Sequence, residues 1–542
     1  MNKLIHIIIV LLLFNTACKK MEHVDLIIKN AKIYTVDSAF SQAECIAVKD
    51  GKFVAVGSQD DILKKYNPDS ILDMEGKFIY PGFIDAHCHF YGYGAYKQTV
   101  DLYNTSSYDE LLKRVLEFAD KNKHSWIRGR GWDQNLWEIK EFPDNKKLNV
   151  MFPNTPVMLI RVDGHAVLIN EAAMKLVEFD QRKYADYMIF RDGRFTGVLL
   201  DNAADLFKDA ASIRTNEEIA KALLIAQEDC FAVGLTGVSD AGLNQDVIQS
   251  IIHLNAAGKL NMHIYAMLNP NKENEDFINK HGVYRTDFLH IQALKLYADG
   301  ALGSRGACLI DPYSDDPENT GKILDTDSFY QYYCEFALKN DYQICTHAIG
   351  DSANRYILKL YSQFLSPGND KRWRIEHSQV IHPSDFALFG AYSIVPSVQP
   401  THATSDMNWA KDRLGDERVQ FAYAYQSLLK QNHWIPFGSD FPVESINPLF
   451  GYYAAIARKD INGKPPEGFQ VKEALNLEDA LRAMTIWAAK ANFEEHEKGS
   501  IEKGKLADFV VLDRDILSVS EAETHAAIVL KTFISGKEVF SR

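Results

Sequence analysis

The sequence has few cysteines, no excess of basic charge and no long basic run, and each shortage argues against a class of protein. Its seven cysteines, in 542 residues, form no CxxC pair, which argues against a disulfide scaffold and a zinc knuckle. The formal net charge of −14 argues against non-specific nucleic-acid binding, because that needs a basic face to displace counterions from phosphates. The chain is long enough to bury its own core, so we expect free, buried cysteines at Cys45, Cys88, Cys230, Cys308, Cys334 and Cys345.

Long apolar runs are also scarce, and the one at the N-terminus, residues 4–14, is too short to span a bilayer as a mature helix. With a lysine before it, this run is typical of a signal peptide. The pair Thr16-Ala17 directly before Cys18 resembles a bacterial lipobox, although Asn15 stands where that pattern usually has leucine. We expect a signal peptide over residues 1–17 and a lipidated Cys18. The lipid would anchor a periplasm-facing lipoprotein in the cell envelope of a Gram-negative bacterium. A secreted soluble protein and an uncleaved anchor are the alternatives.

Short alternating runs punctuated by glycine and aspartate mark both ends of the remaining chain. VDLIIKNAKIYTVD and ECIAVKDGKFVAVGS stand near the start, and GKLADFVVLDRD and AAIVLKTFISGKEVF near the end. Their alternation is typical of half-buried antiparallel strands. Together they predict one small β-domain built from residues 24–78 and 495–542.

Between these ends, short apolar runs alternate with helical stretches, and most of the runs end in a polar cluster. Eight β-then-α units predict an α/β fold, a (β/α)8 TIM barrel over residues 79–494, with its active site at the carboxyl ends of the strands. Roughly 140 residues separate the first two runs, so residues from about 91 to 214 should form an insertion over the barrel mouth. The runs are Ile79–His89, Gly234–Asp240, Met262–Leu268, Ile291–Tyr297, Tyr342–His347, Arg372–His377, Ser393–Val398 and Trp434–Asp440.

The first run, YPGFIDAHCHF, ends on two histidines separated by one residue. Residues i and i+2 of a strand face the same side, so His87 and His89 both point into the barrel, with Asp85 deeper on the same face. Two imidazoles on one face suit a divalent metal, whereas the pair taken alone could be an accident of composition. For Asp85 we expect a contact that orients a histidine rather than metal ligation.

Other strand ends carry further metal-capable groups, namely His347 in CTHAIGD, His377 in RIEHSQV and Asp440 in PFGSDFP. The fourth run adds Lys295 in ALKLYADG. A buried, unpaired ammonium is costly, so it loses its proton or finds a partner. A neutral lysine amine can react with carbon dioxide to give a carbamate, whose two oxygens could bridge two metals. A lysine that reaches solvent or pairs with Asp299 is the alternative.

Six ordered motifs resemble the amidohydrolase superfamily and, within it, amidohydrolase family 3, the YtcJ-like branch. They are PGFIDAHCH, LKLYADGALGSR, THAIGD, IEHSQ, GSDFPV and KGSIEKGKLADFVVLD. The resemblance extends from about Val24 to the C-terminus, and it implies a metal-dependent hydrolase on a (β/α)8 barrel with a small β-sandwich built from both termini. The site residues that it implies are His87 and His89 for one metal, His347 and His377 for the other, carboxylated Lys295 as the bridge, and Asp440 as metal ligand and proton carrier.

The chemistry of such a site follows from its ligands. A metal pair lowers the pKa of a bridging water and polarises the carbonyl under attack. Asp440, at the end of the eighth run, is placed to accept the proton of the water and pass it to the leaving nitrogen. We expect one or two divalent ions, zinc first, although manganese and iron suit the same ligands.

Candidate substrate contacts come from motifs that have no evident structural purpose. Asp163 and His165 lie in RVDGHAVLIN within the insertion, and His402 and Trp409 lie in VPSVQPTHATSDMNW after the seventh run. Arg305 in ALGSRGA could hold a substrate carboxylate or carbonyl. A loop hydrogen bond for His165, and a salt bridge to a loop acid for Arg305, are the alternatives.

The leading functional hypothesis is hydrolysis of a non-peptide carbon–nitrogen bond, of the N-substituted amide or formamide type, in a small molecule. The same metal chemistry on an ester, lactone or phosphoester is the second hypothesis, and a non-catalytic binding lipoprotein on a hydrolase barrel is the third. The complete set of metal-capable groups argues against the third. The sequence does not reveal the oligomeric state, and a homodimer stays open.

Overall fold

The computed structural model describes residues 21–120 and 125–542, so the expected signal peptide and Cys18 lie outside the described residues. The chain begins with short strands, as the alternating pattern predicts. These first elements are β1 (Glu22–Lys29), β2 (Lys32–Tyr34), β3 (Gln42–Ala43), β4 (Cys45–Lys49), β5 (Lys52–Gly57), α1 (Gln59–Lys65), β6 (Tyr66–Asp73) and β7 (Phe78–Pro81).

The first barrel strand and the insertion follow. They comprise β8 (Phe83–Cys88), α2 (Phe90–Lys97), β9 (Val100–Asp101), α3 (Tyr108–Ala119), β10 (Ile127–Trp132), α4 (Lys146–Met151), β11 (Val157–Arg161), β12 (Ala166–Ile169), α5 (Glu171–Met174), β13 (Met188–Arg191), β14 (Arg194–Leu200) and α6 (Asp201–Ser212).

Strands and helices then alternate through the rest of the barrel. The elements are α7 (Asn216–Ala232), β15 (Leu235–Leu243), α8 (Gln245–Ala256), β16 (His263–Leu268), α9 (Lys272–His281), β17 (Tyr284–Arg285), β18 (Leu289–Tyr297), α10 (Asp327–Asn340), β19 (Gln343–Ala348), α11 (Asp351–Phe364), β20 (Arg374–His377), α12 (Phe386–Ala391), β21 (Val395–Ser397), α13 (Pro400–Asp406), α14 (Ala410–Arg418), α15 (Tyr425–Asn432), α16 (Pro448–Ala457), α17 (Leu477–Ala483) and α18 (Ile486–Ala491).

The chain ends in a second group of strands. These are β22 (Phe509–Leu512), β23 (Val529–Ile534) and β24 (Lys537–Ser541), with α19 (Glu521–Thr524) between the first two. Within residues 21–120 and 125–542, no helix combines the length and the apolar character required to cross a membrane.

The two chain ends form a small domain of two sheets. One sheet has the order β5-β4-β1-β6, and the other, β24-β23-β22-β7-β2-β3, joins strands from both ends of the sequence. Apolar side chains of both ends, among them Ile33, Phe53, Phe509 and Phe533, pack into one buried cluster. Because both ends supply residues of this core, the domain depends on residues about 500 positions apart in sequence.

The barrel sheet has the strand order β21-β20-β19-β18-β16-β15-β8, and these neighbours pair in parallel. Its strands are buried along nearly their whole length, as strands covered by helices must be. This arrangement confirms the α/β TIM-barrel fold expected from the alternation of runs. Parallel strands bring all their carboxyl ends to one rim, which gathers the polar clusters there.

Two of the eight runs expected to form barrel strands differ from that expectation in the structure. The first run divides at Gly82, where the chain leaves the small domain: Gly82 N–H donates to the Asp508 carbonyl, and Phe83 N–H to the Gly234 carbonyl. The eighth run closes the barrel without forming a regular strand, since only Phe437 makes a β-bridge, to Val398. Backbone hydrogen bonds still join this segment to β8 on one side and to residues after β21 on the other.

The insertion forms its own mixed sheet, in the order β13-β14-β12-β11-β10-β9. Trp132 and Trp137 are buried in a cluster on this sheet, so they serve the packing of the insertion. The helix α7 then leads back to the second barrel strand.

The six cysteines of the described chain are free, as expected. Cys308 is partly exposed and the other five are buried.

Candidate metal centre

His87 and His89, at the end of β8, both turn Nε2 toward Asp440, at 3.7 and 3.3 Å from its Oδ1. His87 Nδ1 lies 2.7 Å from Glu376 Oε2, and His89 Nδ1 lies 3.0 Å from the Ala241 carbonyl oxygen. Carboxylate and carbonyl oxygens only accept hydrogen bonds, so each Nδ1 carries a proton. Nε2 is therefore the nitrogen that each ring presents to a metal.

A second pair of histidines, His347 and His377, comes from the ends of β19 and β20. Their rings lie 4.6 Å apart between centroids, and the His377 ring lies 5.0 Å from that of His87. His377 Nδ1 lies 2.7 Å from Gln399 Oε1, while the Gln399 amide group donates to the Ser397 carbonyl. This orientation makes Oε1 the acceptor and again leaves Nε2 of the histidine for a ligand.

The nitrogen and oxygen atoms that converge here fit a divalent metal ion. The candidate ligand atoms of His87, His377 and Asp440 lie within 4.8 Å of one another. His347 Nε2, His402 Nε2 and Asp440 Oδ1 are buried and make no hydrogen bond within residues 21–120 and 125–542. Buried polar atoms seldom lack a partner, and a cation among them would supply one. Imidazole and carboxylate ligands suit zinc and other first-row divalent metals.

Burial sets the charge states of these groups. It lowers the pKa of His347 to about 3, with a further contribution from the Lys295 ammonium, and it lowers the pKa values of His87 and His377 as well. Burial alone would raise the pKa of Asp440. The His89 imidazole, whose Nε2 lies 3.3 Å from Oδ1, and the neighbouring histidines outweigh burial and hold the pKa of Asp440 well below its usual value. The site thus combines neutral imidazoles with an ionised carboxylate, the forms in which both bind metal.

Lys295 is 1% exposed on the inward face of β18, and its Nζ lies 3.0 Å from His87 Nε2. Burial lowers its pKa. The alternative pairing with Asp299 is not what the structure shows, because Asp299 accepts from the backbone N–H groups of Cys308, Ile349 and Gly350. Within the described chain no carboxylate lies within 4.0 Å of Nζ. A carboxylated side chain would add two oxygens beside the histidines, and this modification stays a prediction.

Asp85 contacts the backbone of His87 rather than its ring. Its Oδ1 accepts from His87 N–H at 3.0 Å, and its Oδ2 accepts from the Ser439 hydroxyl at 2.6 Å. Asp85 therefore joins β8 to the closing segment of the barrel, which carries Asp440.

The carboxylate that orients the His87 ring is Glu376, which the sequence reasoning missed. Burial opposes its ionisation, but the hydrogen bond and charge of His87, together with Arg374, hold its pKa at about 2. Two-residue alternation would place Glu376 and His377 on opposite faces of β20. At His377, however, the backbone turns to φ 73°, so consecutive residues both reach the site. The only signal in the sequence for this role was that the carboxylate of Glu376 directly precedes the expected ligand His377.

Two of the expected substrate contacts lie on an exposed turn of the insertion. Asp163 pairs with Arg161, and His165 Nδ1 lies 3.0 Å from Asp201 Oδ1. The His165 side chain is 77% exposed. In the described chain neither residue contacts a metal-capable residue of the barrel, so the loop hydrogen bond considered for His165 is present and substrate contact stays a prediction.

The other three expected substrate contacts, His402, Trp409 and Arg305, lie in three different surroundings. His402 belongs to the site, with Nε2 3.8 Å from Asp440 Oδ2 and its ring stacked on that of His377. Trp409 packs against Gly303, where an added Cβ would lie 3.2 Å from the indole. Arg305 makes the loop salt bridge, donating to both carboxylate oxygens of Asp315. Their contact with substrate also stays a prediction.

Comparison with known proteins agrees with this geometry. A model of the amidohydrolase family matches residues 70–540. Putative amidohydrolase YtcJ of Bacillus subtilis is 30% identical over 523 residues, covering 94% of this chain and 98% of its own length. N-substituted formamide deformylase of Arthrobacter pascens is 28% identical over 540 residues, covering 94% and 97%. An uncharacterised metal-dependent hydrolase of Pyrococcus horikoshii has a crystal structure that superposes with a TM-score of 0.79 at 28% identity, covering 92% and 99%. The chain therefore belongs to amidohydrolase family 3, a family of metal-dependent hydrolases.

Proposed function

We propose that this protein hydrolyses a carbon–nitrogen bond outside peptides, of the N-substituted amide or formamide type. The observation that carries the proposal is the convergence of four histidines with Asp440 and Lys295 at the barrel mouth, with buried nitrogen and oxygen atoms that lack partners. One relative that matches along nearly the whole chain is named for deformylation of N-substituted formamides, which supports this substrate class.

His87, His89, His347, His377 and Asp440 would hold the metal, one ion or two. A bound divalent cation supplies a water of lowered pKa and polarises the substrate carbonyl. We propose zinc as the first candidate, because imidazole and carboxylate are its usual ligands in hydrolases.

Asp440 carries the proton in the proposed reaction. Its carboxylate accepts a proton from the attacking water while the water oxygen bonds to the carbonyl carbon. The carbon–nitrogen bond then breaks, and the nitrogen takes that proton, so an acid and an amine leave. His402 Nε2 lies 3.8 Å from Asp440 Oδ2, and we propose His402 as a second polar group beside the leaving nitrogen.

Lys295 is proposed to carry a carbamate, whose two oxygens would serve as further metal ligands and would bridge the ions if two are bound. Its burial, its lowered pKa and its position beside His87 Nε2 support a reactive neutral amine. The ¹³C NMR spectrum of protein prepared with ¹³C-bicarbonate should show a carbamate signal that is absent from Lys295→Ala. A wild-type spectrum without that signal contradicts the carbamate but leaves the histidine ligands standing.

The substrate class is tested by a screen on metal-reconstituted protein. N-formyl amines, N-acyl amines, esters, lactones and phosphotriesters are compared with wild type, Asp440→Asn and the control Asp276→Asn. Asp276 lies on the outer helix α9, and its carboxylate is 62% exposed. We expect the formyl or acyl amines to be the best substrates, loss of at least about 10³-fold in kcat for Asp440→Asn, and no change for the control.

The outcome that contradicts the substrate class is preference for an ester, lactone or phosphoester. Stoichiometric metal without any turnover would instead favour a binding lipoprotein.

The location at the membrane is proposed from the lipobox-like residues before Cys18. Cells that express the full chain should retain it in the membrane fraction, and Cys18→Ser should release it. If both forms are equally soluble, the lipid anchor is wrong. Light scattering on the detergent-solubilised protein then distinguishes a homodimer from a monomer.

A further inference from the structure

Tyr297 is a polar aromatic residue of the barrel mouth with no role in the metal centre described above. It ends β18 two residues after Lys295 and faces inward with it. Lys295 Nζ lies 5.1 Å from the centre of its ring, and the His347 ring centroid lies 5.7 Å away. At 39% exposure it is one of the more open large side chains of the barrel.

The hydroxyl of Tyr297 lies near the end of β15, which is separated from β18 by one strand of the barrel sheet. A Cβ built on Gly242 would be 3.5 Å from Tyr297 Oη. The preceding residue, Ala241, provides the carbonyl oxygen that fixes His89 Nδ1. The Tyr297 side chain therefore lies between His347 and the end of β15, whose Ala241 carbonyl orients His89.

This hydroxyl has no hydrogen-bond partner within residues 21–120 and 125–542, although many tyrosine hydroxyls of the barrel have one. Tyr330 donates to the Tyr297 carbonyl and Tyr342 to the Gly282 carbonyl, for example. A phenol that lies beside Lys295 and His347, with a hydroxyl that makes no hydrogen bond in the described chain, offers a donor at the rim.

We propose that the Tyr297 hydroxyl donates a hydrogen bond to the carbonyl oxygen of the substrate and stabilises the negative charge that develops there. When water adds to the carbonyl carbon, the C=O electron pair moves to that oxygen, and the phenol keeps its proton while it donates. When the carbon–nitrogen bond breaks, the electron pair returns to form the acid. The inference rests on the proposed function only in requiring a carbonyl substrate.

Tyr297→Phe is the decisive variant, because it keeps the ring and removes only the hydroxyl. With the best substrate of the screen, we expect kcat to fall about 10²-fold with KM within threefold, as for loss of one oxyanion donor. Bound metal per chain should not change. Inhibition by a phosphonate analogue of that substrate should weaken by a similar factor, while inhibition by the carboxylic acid product should not.

Tyr332→Phe is the matched control. Tyr332 lies on the outer helix α10, is 47% exposed and loses one hydrogen bond, to Glu275. Its kinetic constants should equal those of the wild type.

A kcat of Tyr297→Phe within threefold of wild type overturns the inference and leaves Tyr297 as a packing residue. A wild type that hydrolyses esters or lactones but not amides contradicts the proposed substrate class alone, and the comparison is then made on that substrate. Absence of any carbonyl hydrolysis by the wild type overturns both.

Discussion

Glu376→Gln should weaken metal binding, because it removes the carboxylate that fixes the His87 ring. Glu376 is fully buried, 2.7 Å from His87 Nδ1, and its other oxygen lies 3.9 Å from Arg374 Nη1. Glutamine has nearly the same shape, so packing is conserved while the charge is lost. If the glutamine carbonyl oxygen faces His87, the glutamine NH2 group faces the Arg374 guanidinium, so two donors oppose each other. In the opposite orientation the glutamine NH2 group faces the His87 Nδ1–H, which is also a donor. Both orientations are worse than the native one.

The expected loss of metal affinity follows from the role of the hydrogen-bond partners that orient metal-ligating histidines. Removing one such partner typically costs 10–100-fold in metal affinity, or about 1.4–2.7 kcal/mol. We expect this change in the zinc dissociation constant, measured by competition with a chromophoric chelator on metal-free protein. Glu273→Gln, at an exposed position of α9, is the control. A dissociation constant for Glu376→Gln within twofold of wild type would refute the orienting role of Glu376.

Three further predictions concern residues around the site and the insertion. Burial opposes ionisation of Glu218, but hydrogen bonds from Ser125, the backbone and Arg128 outweigh burial and lower the pKa of Glu218 to about 2. The ionised carboxylate therefore stabilises the folded state fully above about pH 4.5, and this contribution is lost as the pH falls toward 2. Glu218→Gln should lower Tm by about 2–4 °C at pH 7 and by less at pH 4 in calorimetry, whereas the exposed neighbour variant Glu217→Gln should show no such difference. Asp85→Ala leaves the buried N–H groups of His87 and Ser439 without acceptors and should lower both Tm and zinc affinity. Unchanged values of both would contradict the role of Asp85 in joining β8 to the segment that carries Asp440. If His165 contacts the substrate as expected, His165→Ala should lower kcat/KM by more than about threefold, and an unchanged value would leave this exposed residue with only its loop hydrogen bond to Asp201.

Much of the metal centre follows from strand alternation in the sequence. His87, His89 and Lys295 lie where a period of two places them, because the two-residue alternation holds toward the carboxyl ends of β8 and β18. Parallel pairing then brings strand ends together without any further information from the sequence. The barrel and the composite β-domain were predictable for the same reason, since each depends on local periodicity and on the order of elements.

The remaining features depend on backbone geometry that alternation does not encode. His377 and Asp440 both have positive φ, at 73° and 62°, so their side chains depart from the strand pattern. The turn at His377 brings Glu376 to the site as well. Gly82 divides an apolar run that reads as one strand, because hydrogen-bond partners change there from the small domain to the barrel. The expected contacts at Asp163 and Arg305 lie on loops, where their ion-pair partners come from residues the motif does not contain.

The most direct test of the metal centre is anomalous diffraction at the zinc edge from crystals of protein reconstituted with zinc. We expect one or two anomalous peaks, bounded by Nε2 of His87, His89, His347 and His377 and by the Asp440 carboxylate. A crystal without a peak at this position, or with zinc bound only elsewhere, would contradict it.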